Sequence, residues 1–221
     1  MKLISKISAL GAVVLLSTAF ASADTVTLLS NQNSVNYAGY NPVIGGSTST
    51  PGLNAPTSNI GTGGVWTAPV GGSSWVSFDP NSAPGGNVDP NGTYTYFSSF
   101  IMDAGDNSFS GSLTVMADDT TDVWLNGHEV LPAGDIGSDA KCSDNTPNCI
   151  TPLTFDLAAG GFLQAGTNTL TFNVEQTGLK SQGLDYAGTV TGSNVPEPNS
   201  LLLLGTGLMG SAGALLRRMR A

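Results

Sequence analysis

Few side chains in this 221-residue chain could carry covalent chemistry. His128 is the only histidine, and no G-x-S-x-G elbow supplies a serine nucleophile for it to activate. It follows Asn126 and Gly127, a pair suited to a two-residue hairpin turn, where a solvent-facing polar residue is the usual occupant. Glycoside hydrolysis needs two carboxyls flanking a bond. Glu129 and Glu175 are the only glutamates between residues 24 and 194, aspartates are numerous, and no spacing marks two of them as a pair. No catalytic residue is assigned, and the chain is expected not to be an enzyme. Cys142 and Cys149 are the only cysteines. The polar, turn-forming stretch between them lacks C-x-x-C geometry, so they are expected to bond to each other.

Two further groups of residues could hold a ligand. Asp103, Asp106, Asp118, Asp119 and Asp122 fall at turns, and turn carboxylates are what Ca²⁺ takes. Their spacing fits no EF-hand loop, and Asp is an ordinary turn residue, which is the favoured reading. A structural Ca²⁺ is the one ion the pattern admits; no other cofactor is implied. Tyr37, Tyr40, Trp66 and Trp75 lie in or beside the stretch from Thr25 to Phe78, which has no charged residue. Flat rings beside amides and hydroxyls can stack on a sugar face. They can equally fill a core, the stronger reading for Trp66 and Trp75. Trp124 falls in a strand and reads as core.

The elements that must position these groups are strands. The runs 93–102, 109–117, 121–125, 153–157, 168–174 and 184–190 are rich in β-branched and aromatic residues and end at Gly, Asp or Asn. Leu113, Val115 and Ala117 alternate with Thr114 and Met116, and Leu170, Phe172 and Val174 with Thr171 and Asn173, so each run has one buried face. Residues 45–64, crowded with Gly, Ser, Thr, Asn and Pro, read as a long loop. No helical period appears outside the termini. The expectation is an all-β domain over residues 24–194, a two-sheet β-sandwich of about eight strands. Fifteen acids stand against two bases, Lys141 and Lys180, in that span. Nucleic acid is therefore excluded as a partner, since phosphate contacts need Lys and Arg.

The two ends read as addresses. Lys2 and Lys6, the apolar run from Ile7 to Phe20, and the small residues Ala21 and Ala23 make residues 1–23 a signal peptide, cut by signal peptidase between Ala23 and Asp24. At the other end, Val195, Pro196, Glu197 and Pro198 precede an apolar helix over 200–216. Arg217, Arg218 and Arg220 form a basic end at 217–220. That helix is near the lower limit of the roughly 17 to 25 residues that span a bilayer. The arginines would stay cytoplasmic and leave the domain outside. A plain tail anchor has the same layout.

The Pro-Glu-Pro triplet before the helix separates these readings, because residues 195–221 resemble a PEP-CTERM sorting tail. That resemblance implies transient membrane attachment, processing by an exosortase, export across the inner membrane, and a final place on the cell surface or in an exopolysaccharide matrix or biofilm. A second resemblance rests on Ser112–Val130 (SLTVMADDTTDVWLNGHEV), on Phe155–Leu157, on Gly166, Asn168 and Leu170, and on Gln176–Val190. These resemble strands and turns of galactose-binding-like jelly rolls, implying a jelly-roll-like sandwich. Together they imply a structural or adhesive surface protein with extracellular polysaccharide as partner. A carbohydrate-binding module is the alternative, and a glycan-active enzyme the less favoured third.

Overall fold

The structure is a computed structural model, and it describes residues 23–46, 54–137, 142, 144–194 and 198–219. Ala21 and the rest of the leader before Ala23, the motif residues Val195, Pro196 and Glu197, and Arg220 lie outside the described residues.

Two sheets face each other. One contains β1 (Ala23–Leu29), β4 (Ser58–Asn59), β5 (Val76–Ser77), β7 (Ser108–Asp118), β10 (Leu153–Asp156) and β12 (Gly183–Ser193), in the order β10-β7-β12-β5-β4 with β1 also paired to β12. The other runs β3 (Ala55–Pro56), β2 (Asn36–Asn41), β6 (Gly92–Met102), β11 (Gly166–Gln176), β8 (Thr120–Leu125) and β9 (His128–Leu131). All the pairings are antiparallel. Each sheet is centred on a pair of eleven-residue strands, β7 with β12 and β6 with β11, and this explains why those runs were legible from composition.

The core lies between the sheets. Leu170, Phe172 and Val174 point inward from β11, Tyr94 and Tyr96 from β6, Leu113, Val115 and Ala117 from β7, and Leu184 and Tyr186 from β12. Phe172 stacks on Tyr186 with ring centroids 4.6 Å apart, joining the sheets across their middle. The β8–β9 hairpin closes through Asn126 and Gly127 at φ of 52° and 83°, the left-handed pair a two-residue turn demands. Asn126 also donates to Phe162 O and Asn168 Oδ1 and accepts from Thr169 N–H. Asn168 donates in turn to Gln164 O and Gly166 O. The buried Gly-x-Asn-x-Leu asparagine thus fastens the start of β11 to the hairpin.

Two expectations need correction, and a third is not shown. The segment 45–64 is not all loop: β3 and β4 sit inside it, adding an edge to each sheet. Buried Thr57 between them donates to Val35 O. Met116, on the supposedly wetter face of β7, is buried beneath a second layer. The tail forms a 22-residue helix, α1 (Pro198–Met219), whose residues 205–219 are exposed. Among the described residues no helix is long and apolar enough to cross a membrane. The expected span over 200–216, whose Leu201, Leu202 and Leu203 side chains lie outside the described residues, is therefore not shown.

Candidate functional site

The two outer faces of the sandwich differ in what covers them. Over the β7–β12 face, residues 60–75, 142 and 144–150 fold down as a lid with its own small core of Trp66, Trp75, Met116 and Cys149. The Trp66 and Trp75 rings lie 4.5 Å apart, and Cys142 and Cys149 are joined by a disulfide, as expected. Thr67 binds the disulfide loop through N–H to Cys149 O at 2.9 Å and Oγ1–H to Ile150 O at 2.8 Å. Asp185, fully buried on β12, accepts from Ser30 Oγ, Ser73 Oγ and the Val70 amide, which pins the lid to the sheet. Burial pushes its carboxyl up while those donors oppose the shift.

The expected aromatic ligands therefore do not form a platform. Trp66 is 5% and Trp75 0% exposed, their N–H groups spent on Asp118 Oδ2 and Thr67 O. Tyr37 packs on Phe78, Tyr94 and Tyr96 inside the sandwich, where burial pushes its phenol up to about 12. Tyr40 lies against Tyr94 at the rim and donates to Asn91 O. Trp66, Trp75 and Tyr37 went inward because the uncharged stretch that carries them can lie on apolar surface without stranding a charge.

The five aspartates do not form one metal site either. Asp103 and Asp106 lie at the turn before β7, and Asp118 ends that strand, so about 33 Å of extended chain separates them. Asp118 and Asp119 are buried beside the lid. Asp119 accepts from the Thr177 amide and hydroxyl at 2.7 Å. Burial, then Asp119, pushes the Asp118 carboxyl up to about 9. Asp122 points to the opposite sheet's outer face. Among the described residues no group of three or more acids, cysteines or histidines is arranged to hold a metal ion.

The face that remains open is that of β6, β11 and β8. Cross-strand partners share a face, so its rows can be read from the register. Trp124, Thr171 and Phe97 make one row; Asp122, Asn173 and Thr95 the next; Thr120, Glu175 and Thr93 the third. On the other side of the tryptophan row come Thr169 with Ser99, then Thr167 with Ile101, which is 70% exposed. Two loops descend on the third row: Thr93 Oγ1 donates to Val43 O, and the Gly134 amide to Thr120 Oγ1. The face is bounded at that end and open along the rest.

Trp124 was expected in the core, and the structure places it here, partly exposed. The signal lay in its neighbours: Val123 and Leu125 are both buried, and period-2 alternation turns the residue between them outward. Beside it a polar chain crosses three strands. Thr95 Oγ1–H donates to Asn173 Oδ1 at 2.7 Å, and Asn173 Nδ2–H donates to Asp122 Oδ1 at 2.9 Å. Burial pushes the Asp122 carboxyl up, with Trp124 and Asn173 opposing the shift and Glu129 adding to it. The Trp124 indole N–H makes no hydrogen bond of normal geometry, though it lies close enough to Asp122 to favour that carboxylate's charged form. Glu175 is raised by burial, then by Asp122 and Asp119. His128 stacks on Phe162 at 4.1 Å, outside these rows.

Two comparisons bear on this arrangement. Residues 194–220 match the PEP-CTERM protein-sorting motif, so the chain carries that motif and is an exported protein processed at the cell envelope. The sandwich is similar to a family 35 carbohydrate-binding module from an environmental isolate, at 13% identity and TM-score 0.35 over 76% of this chain and 99% of that one. It is also similar to a CBM35 from Paenibacillus barcinonensis, at 13% identity and TM-score 0.33 over 75% and 97%. A β-glucuronidase of an uncultured Clostridium sp. aligns at 9% identity and TM-score 0.38, over 80% of this chain and 30% of that enzyme. Likeness this remote says nothing of the ligand here. No curated protein matches the chain significantly.

Proposed function

We propose that this is an adhesive surface protein that holds extracellular polysaccharide on the β6–β11–β8 face. The observation that supports it most is the Trp124–Thr171–Phe97 row beside the Thr95–Asn173–Asp122 chain. It sets an aromatic surface for the apolar side of a pyranose next to fixed hydrogen-bonding groups. Sugar binding of this kind needs no metal. The face is a binder rather than a catalyst. Asp122 and Glu175 stand side by side on one flat floor instead of on opposite walls, and burial raises both, whereas acid–base pairs need environments that push them apart.

The address supplies the context. In this reading signal peptidase removes residues 1–23, an exosortase cuts near Glu197, α1 meets the membrane only during that step, and the released domain resides in the matrix. Mass spectrometry of the mature C-terminus should find it close to residue 197; a full-length tail in matrix material would refute the processing step.

Binding is tested by affinity electrophoresis of the mature protein through the producing cell's own exopolysaccharide. Trp124→Ala should weaken retention about tenfold or more, close to 1.4 kcal/mol, and reducing ends should not accumulate. Unchanged retention of that variant would remove the proposed face.

A further inference from the structure

At the end of the sandwich beneath the β6–β7 turn, two carboxyls meet without a cation. Asp24 pairs with Gly192 across β1 and β12, and its side chain shares a face with Val26 and Leu28, toward the interior. Asp106 folds its carboxyl over Gly192 so closely that a Cβ there would collide with Asp106 Oδ2. Asp106 is 9% exposed. Its Oδ2 and Asp24 Oδ1 are both shielded from water, and the two carboxyls lie within hydrogen-bond reach of each other, so that without a cation between them they must share a proton. Burial, then Asp24, then the Asp103 charge raise the Asp106 carboxyl, while a backbone hydrogen bond from Asp103 opposes the shift. Two shielded carboxyls set against each other cannot both ionise unless a cation joins them.

The arrangement wants one compact cation with several donors. Lys180, whose carbonyl accepts from the Asp89 amide, lies past the far end of β6 from Asp106. Arg217 and Arg218 are exposed on α1. No group of three acids among the described residues is arranged for a metal ion. The chain can supply the cation itself. Cleavage between Ala23 and Asp24 turns an uncharged amide into an α-ammonium, protonated at neutral pH, and that nitrogen stands three bonds from the Asp24 carboxyl carbon.

We infer that Asp106 and Asp24 form the receptor for the α-ammonium of the mature N-terminus, so that removing the leader completes this end of the sandwich with an ion pair the precursor lacks. The titratable groups that act on the Asp106 carboxyl are those of Asp24 on β1 and of Asp103 on the β6–β7 turn. Across from it β12 offers Thr191, Gly192, Ser193 and Asn194, none of which titrates. Among the described residues no basic side chain joins the pair, and in this reading the mature domain gains rigidity when the ammonium replaces the shared proton. The inference rests on the leader reading and is independent of any glycan.

The experiment compares the exported protein beginning at Asp24 with its Nα-acetylated form and with a form retaining Ala23. Both modified forms should melt about 2–4 °C lower. In Asp106→Asn, the acetylated and free forms should melt together. The wild-type α-amine should also react several-fold more slowly than that of Asp106→Asn with an acylating reagent at neutral pH. Equal melting of free and acetylated wild-type protein overturns the inference, and so does a mature N-terminus at any residue other than Asp24. Rescue of the acetylated form by millimolar Ca²⁺ would assign the pair to a metal ion instead. Should Asp106→Asn fail to fold, the acetylated and Ala23-extended wild-type forms decide alone. Glycan retention should be the same in all forms, so its loss would speak only against the binding face.

Discussion

The two outer faces of this sandwich are built from strands of equal length, yet one is roofed and the other is bare. On the roofed face Met116 is buried under the lid, and buried Asp185 offers two acceptor contacts, to the Val70 amide and to Ser73 Oγ, that hold the lid down. The larger part of the lid, residues 60–75, comes from a stretch free of charge, so laying that part on the sheet strands no charge. On the bare face the same strand positions carry Thr171, Asn173, Glu175 and Asp122, whose polar ends favour water over a cover. The difference teaches that a tryptophan's role is set by what lies over it: Trp75 is structure, and Trp124 is surface.

That contrast can be broken by mutation. Trp75→Ala should cost about 3–5 kcal/mol, the price of truncating a buried aromatic, read as a lower midpoint in a urea titration. A loss under 1 kcal/mol would mean the lid does not stabilise the fold. Opening the disulfide with Cys142→Ser and Cys149→Ser should cost about 2–3 kcal/mol by loop-closure entropy. Protease should then cut residues 142–150 faster than any segment of the β11 sheet.

Asp118 sharpens the comparison through pH. Its carboxyl, raised to about 9 in the fold, keeps a proton that the unfolded chain gives up near 3.9. The folded state therefore binds more protons across that window, and this group's contribution to stability falls as pH rises from about 4 to 9. In Asp118→Asn the side-chain oxygen can still accept from Trp66 Nε1, and the fall between pH 5 and pH 8.5 should flatten; an unchanged slope would refute the protonated reading. Trp124→Ala, last and smallest, should cost under about 1 kcal/mol in stability, despite its effect on retention. A core-sized loss would put Trp124 back inside.

The sequence by itself determined the strands that are long and alternating. β6, β7, β8, β10, β11 and β12 fall within three residues of the runs read from composition, because a period-2 pattern is a local consequence of having one buried face. The Asn126–Gly127 turn, the disulfide and the sorting tail were equally local: each depends on residues close in the chain. Strands of two residues, such as β3, β4 and β5, leave no period to read and exist only because a neighbour offers an edge. The site was hidden for the same reason. Phe97, Asp122, Trp124 and Asn173 come together through pairing across three strands. The five aspartates that look clustered in sequence are dispersed by one eleven-residue strand and by the opposed faces of two sheets. Proximity along an extended chain is lost at about 3.3 Å per residue, and which face stays open to a ligand is decided by where the lid finds its acceptors.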